Sequence, residues 1–186
     1  MPRLILTIIM MMCLMTPSFA DIRKDASSQL LTRAIEYFQS GKYHEALLLF
    51  QRLDNKYKLN ARFQGYIGVC YFYDGDYKKA VAVLGKISPN LQLFAPQERA
   101  VYLYCMAESN FRLGHYRKAL PLFESHILLC HNNEKGDSLM RIGLCYLALD
   151  KTNIADEYLN EATLYYRKFN DAKKLEQMAH YLQGLK

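Results

Sequence analysis

Gly41, Gly75 and Gly114 are each followed two residues on by a Tyr, five on by an Ala and nine on by a large apolar residue: Tyr43, Ala46 and Phe50, then Tyr77, Ala80 and Leu84, then Tyr116, Ala119 and Phe123. A phrase that returns in this way points to a repeat architecture, in which each copy is one structural unit stacked on the next. On both sides of each Gly the apolar residues recur at three- and four-residue steps, the period of an amphipathic helix. The Gly therefore marks the turn of a helical hairpin, too short for the chain to do anything but fold back antiparallel.

Small residues give a stricter test, because two helices approach closely only where side chains are small. Ala34, Gly68, Ala107 and Gly143 occupy one column in the first helices, and Ala46, Ala80, Ala119 and Ala155 another in the second. The offset within every pair is 12, and successive copies are separated by 34, 39 and 36 residues. The first interval is a repeat period, and the others are that period with short loop insertions.

In chain order, the periodicity predicts a first helix from Asp25 to Gln39, with Asp25, Ser27 or Ser28 as its cap, and a second carrying Tyr43, Ala46, Leu47, Phe50 and Leu53. The second hairpin begins near Asn60 and ends at Ser88-Pro89-Asn90; a loop from Leu91 to Pro96 leads into helices over Gln97–Leu113 and Tyr116–Cys130. HNNEKGD, residues 131–137, reads as the next turn, followed by helices over Ser138–Leu149 and Thr152–Lys168. A last helix, Asp171–Leu185, carries Leu175, Met178, Ala179 and Leu182 on one stripe, flanked by Lys173, Lys174, Glu176, Gln177 and Tyr181. The expected organisation is thus a segment 1–20, four hairpins at about 25–58, 60–94, 97–131 and 137–168, and a C-terminal helix within 169–186 that covers the last hairpin.

Residues 1–20 have the parts of a secretory signal: Arg3, an apolar run from Leu4 to Met15, Thr16-Pro17, and small residues at Ser18 and Ala20, with cleavage expected after Ala20. A lipoprotein modified at Cys13 and an uncleaved anchor are the rival readings, disfavoured by the methionines before Cys13 and by the shortness of the run. Export to the periplasm or cell envelope is the expected localisation. Without Arg3 the 24 basic residues become 23 against 18 acidic ones, a surplus spread in short mixtures instead of blocks. Lacking a basic run or Arg-rich helix, the chain is not expected to bind nucleic acid. Cys70, Cys105, Cys130 and Cys145 sit in apolar helical patterns with no CxxC, and buried free thiols or a disulfide among them are both open readings.

The repeat with its small and aromatic columns, over about Leu30 to Lys168, resembles the tetratricopeptide repeat (TPR) family. Asp150 and Thr152 stand in the fourth copy where the others have Gly and Tyr, and Asn110 in the third where Tyr37, Tyr71 and Tyr146 stand. The resemblance implies an all-α fold, an α-solenoid of about four hairpins in a right-handed superhelix with a C-terminal capping helix. It also implies a concave surface, lined by the first helices, for a peptide or protein segment. The stripe beside Ala34 and Tyr37 would then carry Leu31, Ile35 and Phe38, continued by Val69, Phe72 and Tyr73, by Tyr104, Glu108 and Phe111, and by Met140, Leu144 and Leu147. Arg62, Glu108, Arg112 and Arg141 are the candidate polar contacts. Such a stripe suits an apolar or amphipathic segment. Chaperone-binding relatives hold a terminal carboxylate with Lys and Asn; Leu31, Ile35, Val101 and Cys105 stand at those places here, so that grip is not expected.

No convergent set of nucleophile, base and orienting group is present, so no catalytic residue, metal or cofactor is expected. His126, Cys130 and His131 are close in sequence but lack further ligands, and a surface or interface role is the preferred reading. The expected function is a non-enzymatic adaptor of the bacterial cell envelope, within an envelope complex. The alternative is a structural protein that self-assembles into homo-oligomers through its Leu91–Pro96 loop and end faces.

Overall fold

A computed structural model describes residues 19–130 and 133–183. The expected signal segment lies outside them but for its last two residues, as does His131. The described helices are α1 (Phe19–Gln39), α2 (Tyr43–Tyr57), α3 (Ala61–Tyr73), α4 (Tyr77–Ile87), α5 (Pro96–Arg112), α6 (Tyr116–Ile127), α7 (Asn133–Ala148), α8 (Thr152–Lys168) and α9 (Ala172–Gln183), with a 3₁₀ helix over Ser88–Leu93. None of these is long and apolar enough to cross a membrane. The described residues fall into two compact units divided between Lys58 and Leu59.

The first unit is the α1–α2 hairpin, with Ala34, Ala46 and Phe50 removed from solvent. In the second, α3 pairs with α4, α5 with α6 and α7 with α8; α3, α5 and α7 are successive neighbours, α4 and α6 link each pair to the next, and α9 packs on α8. This is the expected all-α stack of antiparallel hairpins.

One turn builds every hairpin. Its left-handed residue is Gly41, Gly75 and Gly114 at φ +75°, +80° and +74°, and Asp150 at +58° in the fourth copy. The next N–H bonds back to the carbonyl five residues earlier, as in Lys42 to Tyr37, Asp76 to Tyr71, His115 to Asn110 and Lys151 to Tyr146. That is a Schellman ending, which satisfies the carbonyls a helix leaves unpaired at its C-terminus. Asp150 departs from the Gly pattern without altering the turn, because a short polar side chain tolerates this region better than most. Asn170, at +53°, makes the same ending between α8 and α9, with Asp171 N–H bonded to the Tyr166 carbonyl.

The small-residue columns are explained by what lies opposite. A Cβ on Gly68 would stand 2.5 Å from Cγ and Cδ2 of Leu84, and one on Gly143 2.7 Å from the same atoms of Leu159. Where the first helix has Ala instead, the residue at the same step is Phe: Ala34 with Phe50, and Ala107 with Phe123, the latter pair in one core cluster. The γ-branch of Leu takes the space in which Ala keeps its methyl, whereas a flat ring leaves room for it. Phe50, Leu84, Phe123 and Leu159 are all buried, and each contributes roughly 1.5–3 kcal/mol by leaving water.

Several expected boundaries shift. α1 is already helical at Phe19, the first described residue, so Asp25, Ser27 and Ser28 lie inside it and do not cap it; no helix breaker separates Phe19 from Asp25. Asn60 does cap α3, its Oδ1 accepting from the N–H of Arg62 and Phe63 at 3.1 and 3.3 Å. Leu91–Pro96 is no free loop: the 3₁₀ helix turns Leu91 inward, and Phe94 packs edge-on to Tyr102 at 5.4 Å. α6 ends at Ile127, short of the expected Cys130. α7 starts at Asn133, five residues before the expected Ser138, so most of HNNEKGD is helix. Gly136 is not a turn there but a point of close packing, where a Cβ would meet the rings of Tyr166 and the Cβ of Tyr165 at 3.0–3.2 Å. Lys174, expected on an outer polar side, instead pairs with Asp137 and lies over the Tyr166 ring.

Candidate functional site

The aromatic stripe expected to line a groove is used mainly inside the hairpins. Phe38 meets Tyr43 edge-on at 5.6 Å, Phe72 lies 6.0 Å from Tyr77, and Phe111 meets Tyr116 at 5.5 Å, the same contact in three copies. Such pairs add roughly 0.5–1.5 kcal/mol beyond area burial, so these rings act first as glue across each turn. Leu31 and Ile35 are half-buried on α1. Val69, Glu108 and Met140 are buried and offer a partner no surface. Leu144 and Leu147 pack, half-buried, against the cluster of α7, α8 and α9.

The expected polar contacts are also committed internally. Glu108, with 4% of its side chain exposed, accepts through Oε1 from Arg141 and Arg112, both at 2.8 Å, while its Oε2 lies 2.7 Å from Arg141 Nε as an ion pair without a hydrogen bond. Arg141 also lies 4.7 Å over the Phe111 ring, tying α7 to α5. Arg62 pairs with Glu98 at 3.2 Å, and Glu98 accepts the Tyr102 hydroxyl at 2.7 Å. Of the expected partner-binding residues, Tyr73 and Tyr104 line a hollow in the surface.

That space is a cavity of about 460 Å³ in the second unit. One stripe of α5 forms its long wall, Gln97, Ala100, Val101, Tyr104 and Cys105, at the steps that keep side chains on a single helix face. Tyr73 from the end of α3 closes one side. His126, Leu129 and Cys130 come from the end of α6 and the segment after it, and Glu134 and Asp137 from the first two turns of α7. Cys105, His126 and Cys130 are buried and form the floor, while Tyr73 and Val101, 55% and 45% exposed, stand at the rim.

The floor is polar but quiet. His126 Nδ1 lies 2.8 Å from Ser138 Oγ and 3.6 Å from Cys130 Sγ, with its ring 5.3 Å from that of Tyr104. Burial lowers the pKa of His126. Burial, helped by the Glu134 charge, pushes the Cys130 thiol up to about 11. A neutral imidazole beside a neutral thiol is the reverse of an activated pair, which needs a thiolate. The two residues paired in the sequence reading thus hold the floor together and do not prime each other. Cys70, Cys105 and Cys145 are likewise buried, free thiols, each raised to about 12 by burial. Among the described residues no group of three or more His, Cys, Asp and Glu is placed to hold a metal ion.

The rim carries carboxylates. Asp137 Oδ1 accepts the Tyr166 hydroxyl at 2.8 Å and pairs with Lys174 from α9. Lys135, next to Glu134, lies over the Tyr165 ring at 5.4 Å. Sequence reasoning missed Gln97, Glu134 and Asp137, and placed Val101 only as a departure from a family grip. The signal for Val101 was there, an apolar residue one turn from Tyr104; the signal for Glu134 and Asp137 was hidden by reading their segment as a turn.

A tetratricopeptide repeat family profile matches residues 137–168, from Asp137 in α7 to the end of α8. No curated protein matches the chain by sequence. Among solved structures, a point mutant of MamA is similar at 12% identity and a TM-score of 0.63, over 88% of this chain and 99% of that one. MamA from Desulfovibrio magneticus RS-1 is similar at 17% identity and a TM-score of 0.58, over 87% and 95%. A thermophilic TPR protein from Thermus thermophilus is similar at 14% identity and a TM-score of 0.56, over 84% and 82%. At these identities the likeness is one of fold. Taken with the recurring Schellman turn and the paired small and large columns, it gives the chain a tetratricopeptide-repeat fold, with the family's own profile matched in the fourth hairpin.

Proposed function

We propose that this chain is a non-enzymatic interaction module that seats a peptide or protein segment at the α3–α5–α7 cavity, and that it works in the bacterial cell envelope after export. The fold generally serves protein–protein interaction. The observation that carries the reading is the cavity itself. Its volume of about 460 Å³ falls within the roughly 300–1,000 Å³ of clefts that hold ligands. Tyr73 and Val101 stand exposed at its rim, and its floor is sealed by fully packed side chains. Exposed aromatic and aliphatic groups around a preformed hollow are what a side-chain anchor requires. The envelope part of the reading rests on the sequence of residues 1–20, with its Arg3, apolar run and small residues before Asp21.

Selection of random peptides on the purified chain, followed by titration of the winners against Tyr73→Ala and Val101→Glu, tests the site. Selected peptides should lose at least tenfold in affinity to Val101→Glu. Undiminished binding to both variants would refute the placement. Fractionation with mass measurement of the mature chain tests export, which an intact Met1 in the cytoplasm would contradict.

Self-assembly has one observation in its favour: Leu93 and Leu128, on two connecting segments, are 81% and 78% exposed. Light scattering decides it, since a strict monomer at high concentration removes that reading. Leu91 and Phe94, which the sequence offered as assembly contacts, are already used within the chain.

A further inference from the structure

We propose that the segment bound at the α3–α5–α7 cavity carries a Lys or Arg beside an apolar anchor, so that the site selects cationic amphipathic segments and rejects acidic ones. The inference rests on the cavity being the binding site, and adds the chemistry of its occupant. The chain as a whole has a net charge of +6, yet both charged side chains that line the cavity, Glu134 and Asp137, are carboxylates.

The surrounding cations are spent elsewhere. Arg112 and Arg141 are both held on Glu108, and Arg62 is paired with Glu98. Lys135 lies over Tyr165. Lys174 pairs with Asp137, and among the described residues no ion pair is formed by the Glu134 carboxylate of the rim. The first turn of α7, which would otherwise favour an anion, already carries the Glu134 carboxylate.

The walls fit the same occupant. Tyr73 and Tyr104, which line the cavity, are side chains of the type that packs on the methylene stem of a Lys or Arg and attracts its charged head. Ala100, Val101 and Leu129 accept an aliphatic neighbour. An acidic segment would bring its carboxylates against Glu134 with no cation lining the cavity to receive them, and like charges in contact are how a site excludes a wrong partner.

The test is the composition of random peptides retained by the purified full chain, and the response of their binding to Glu134→Lys and Val101→Glu. Glu134 and Val101 are exposed, so both variants are expected to fold, and matching circular dichroism melts verify it. Retained peptides should be enriched in Lys or Arg next to an apolar residue. Their affinity should fall about tenfold on Glu134→Lys, as reversal of one rim charge implies, and should weaken with added salt. Enrichment in Asp or Glu, or a basic preference indifferent to Glu134→Lys, overturns the inference while leaving the cavity as a binding site. Absence of any peptide sensitive to Val101→Glu overturns the cavity reading and the inference with it.

Discussion

Replacing Gly143 by Ala tests the rule that sets how closely the paired helices approach. The new Cβ would stand 2.7 Å from Cγ and Cδ2 of Leu159 and 3.2 Å from the carbonyl oxygen of Ala155. Neither neighbour yields easily: Cγ is the branch point of a fully buried side chain, and the oxygen is backbone. Overpacking costs about 1–3 kcal/mol, here in the upper half of that range, and the better helix propensity of Ala returns about 1 kcal/mol. The single variant should therefore lose about 1–2 kcal/mol. Leu159→Ala alone should lose about 2–5 kcal/mol through the cavity it leaves. In the double variant the added methyl enters that cavity, the clash with the Leu159 side chain is gone and the helix gain outweighs the milder 3.2 Å approach to the Ala155 oxygen that remains. It should be about 1 kcal/mol more stable than Leu159→Ala, where simple additivity would make it less stable by about 1–2 kcal/mol. Urea unfolding followed by far-ultraviolet circular dichroism measures all four corners of the cycle, with an unchanged m-value as the check that only stability moved. A coupling within about 0.5 kcal/mol of zero would refute the argument that Leu dictates Gly on the facing helix.

Arg141→Ala should cost about 2–4 kcal/mol in the same unfolding assay, because it leaves the buried Glu108 with one partner and removes the contact over Phe111, while Arg112→Ala, whose side chain is 51% exposed, should cost under about 1 kcal/mol. Stability should fall as pH drops below about 6.5: the unfolded chain then protonates His126 while the folded chain, where burial depresses its pKa, does not, a loss of up to about 1.4 kcal/mol per pH unit. Comparing unfolding midpoints at about pH 7.5 and about pH 5 should reveal a steeper decline than in His126→Gln. Asp150→Gly should raise stability by about 0.5–1 kcal/mol, since it places Gly at φ +58°, where the other three hairpins already have it; a lower melting temperature would argue against strain at that turn.

The fold was legible because its determinants are local or strictly spaced. Gly at the left-handed turn position and small residues at an offset of 12 can be read without knowing any contact. Less was readable where one residue type serves two purposes. Gly136 looks like a turn Gly in sequence but sits within α7 because the Tyr165–Tyr166 pair comes too close for a side chain. Reading it as a turn hid Glu134 and Asp137, the carboxylates of the cavity. The site was harder still. Helical spacing puts Phe38, Phe72 and Phe111 on one stripe, but it cannot say that each ring turns back onto the Tyr five residues on. Nor does spacing reveal that Glu108 gathers both arginines, since Arg141 arrives from a helix 33 residues away. The cavity is lined by Tyr73, Val101 and Tyr104, residues that carry no recurring phrase of their own.

Photo-cross-linking with a selected peptide tests the central claim most directly, with the probe placed at position 101 beside the cavity or at position 164 on α8, where Leu164 is 62% exposed. The seating of a segment at the α3–α5–α7 cavity predicts an adduct from position 101, lost on competition with unlabelled peptide, and only background from position 164. Equal adducts from both positions, or an adduct from position 164 alone, would contradict it.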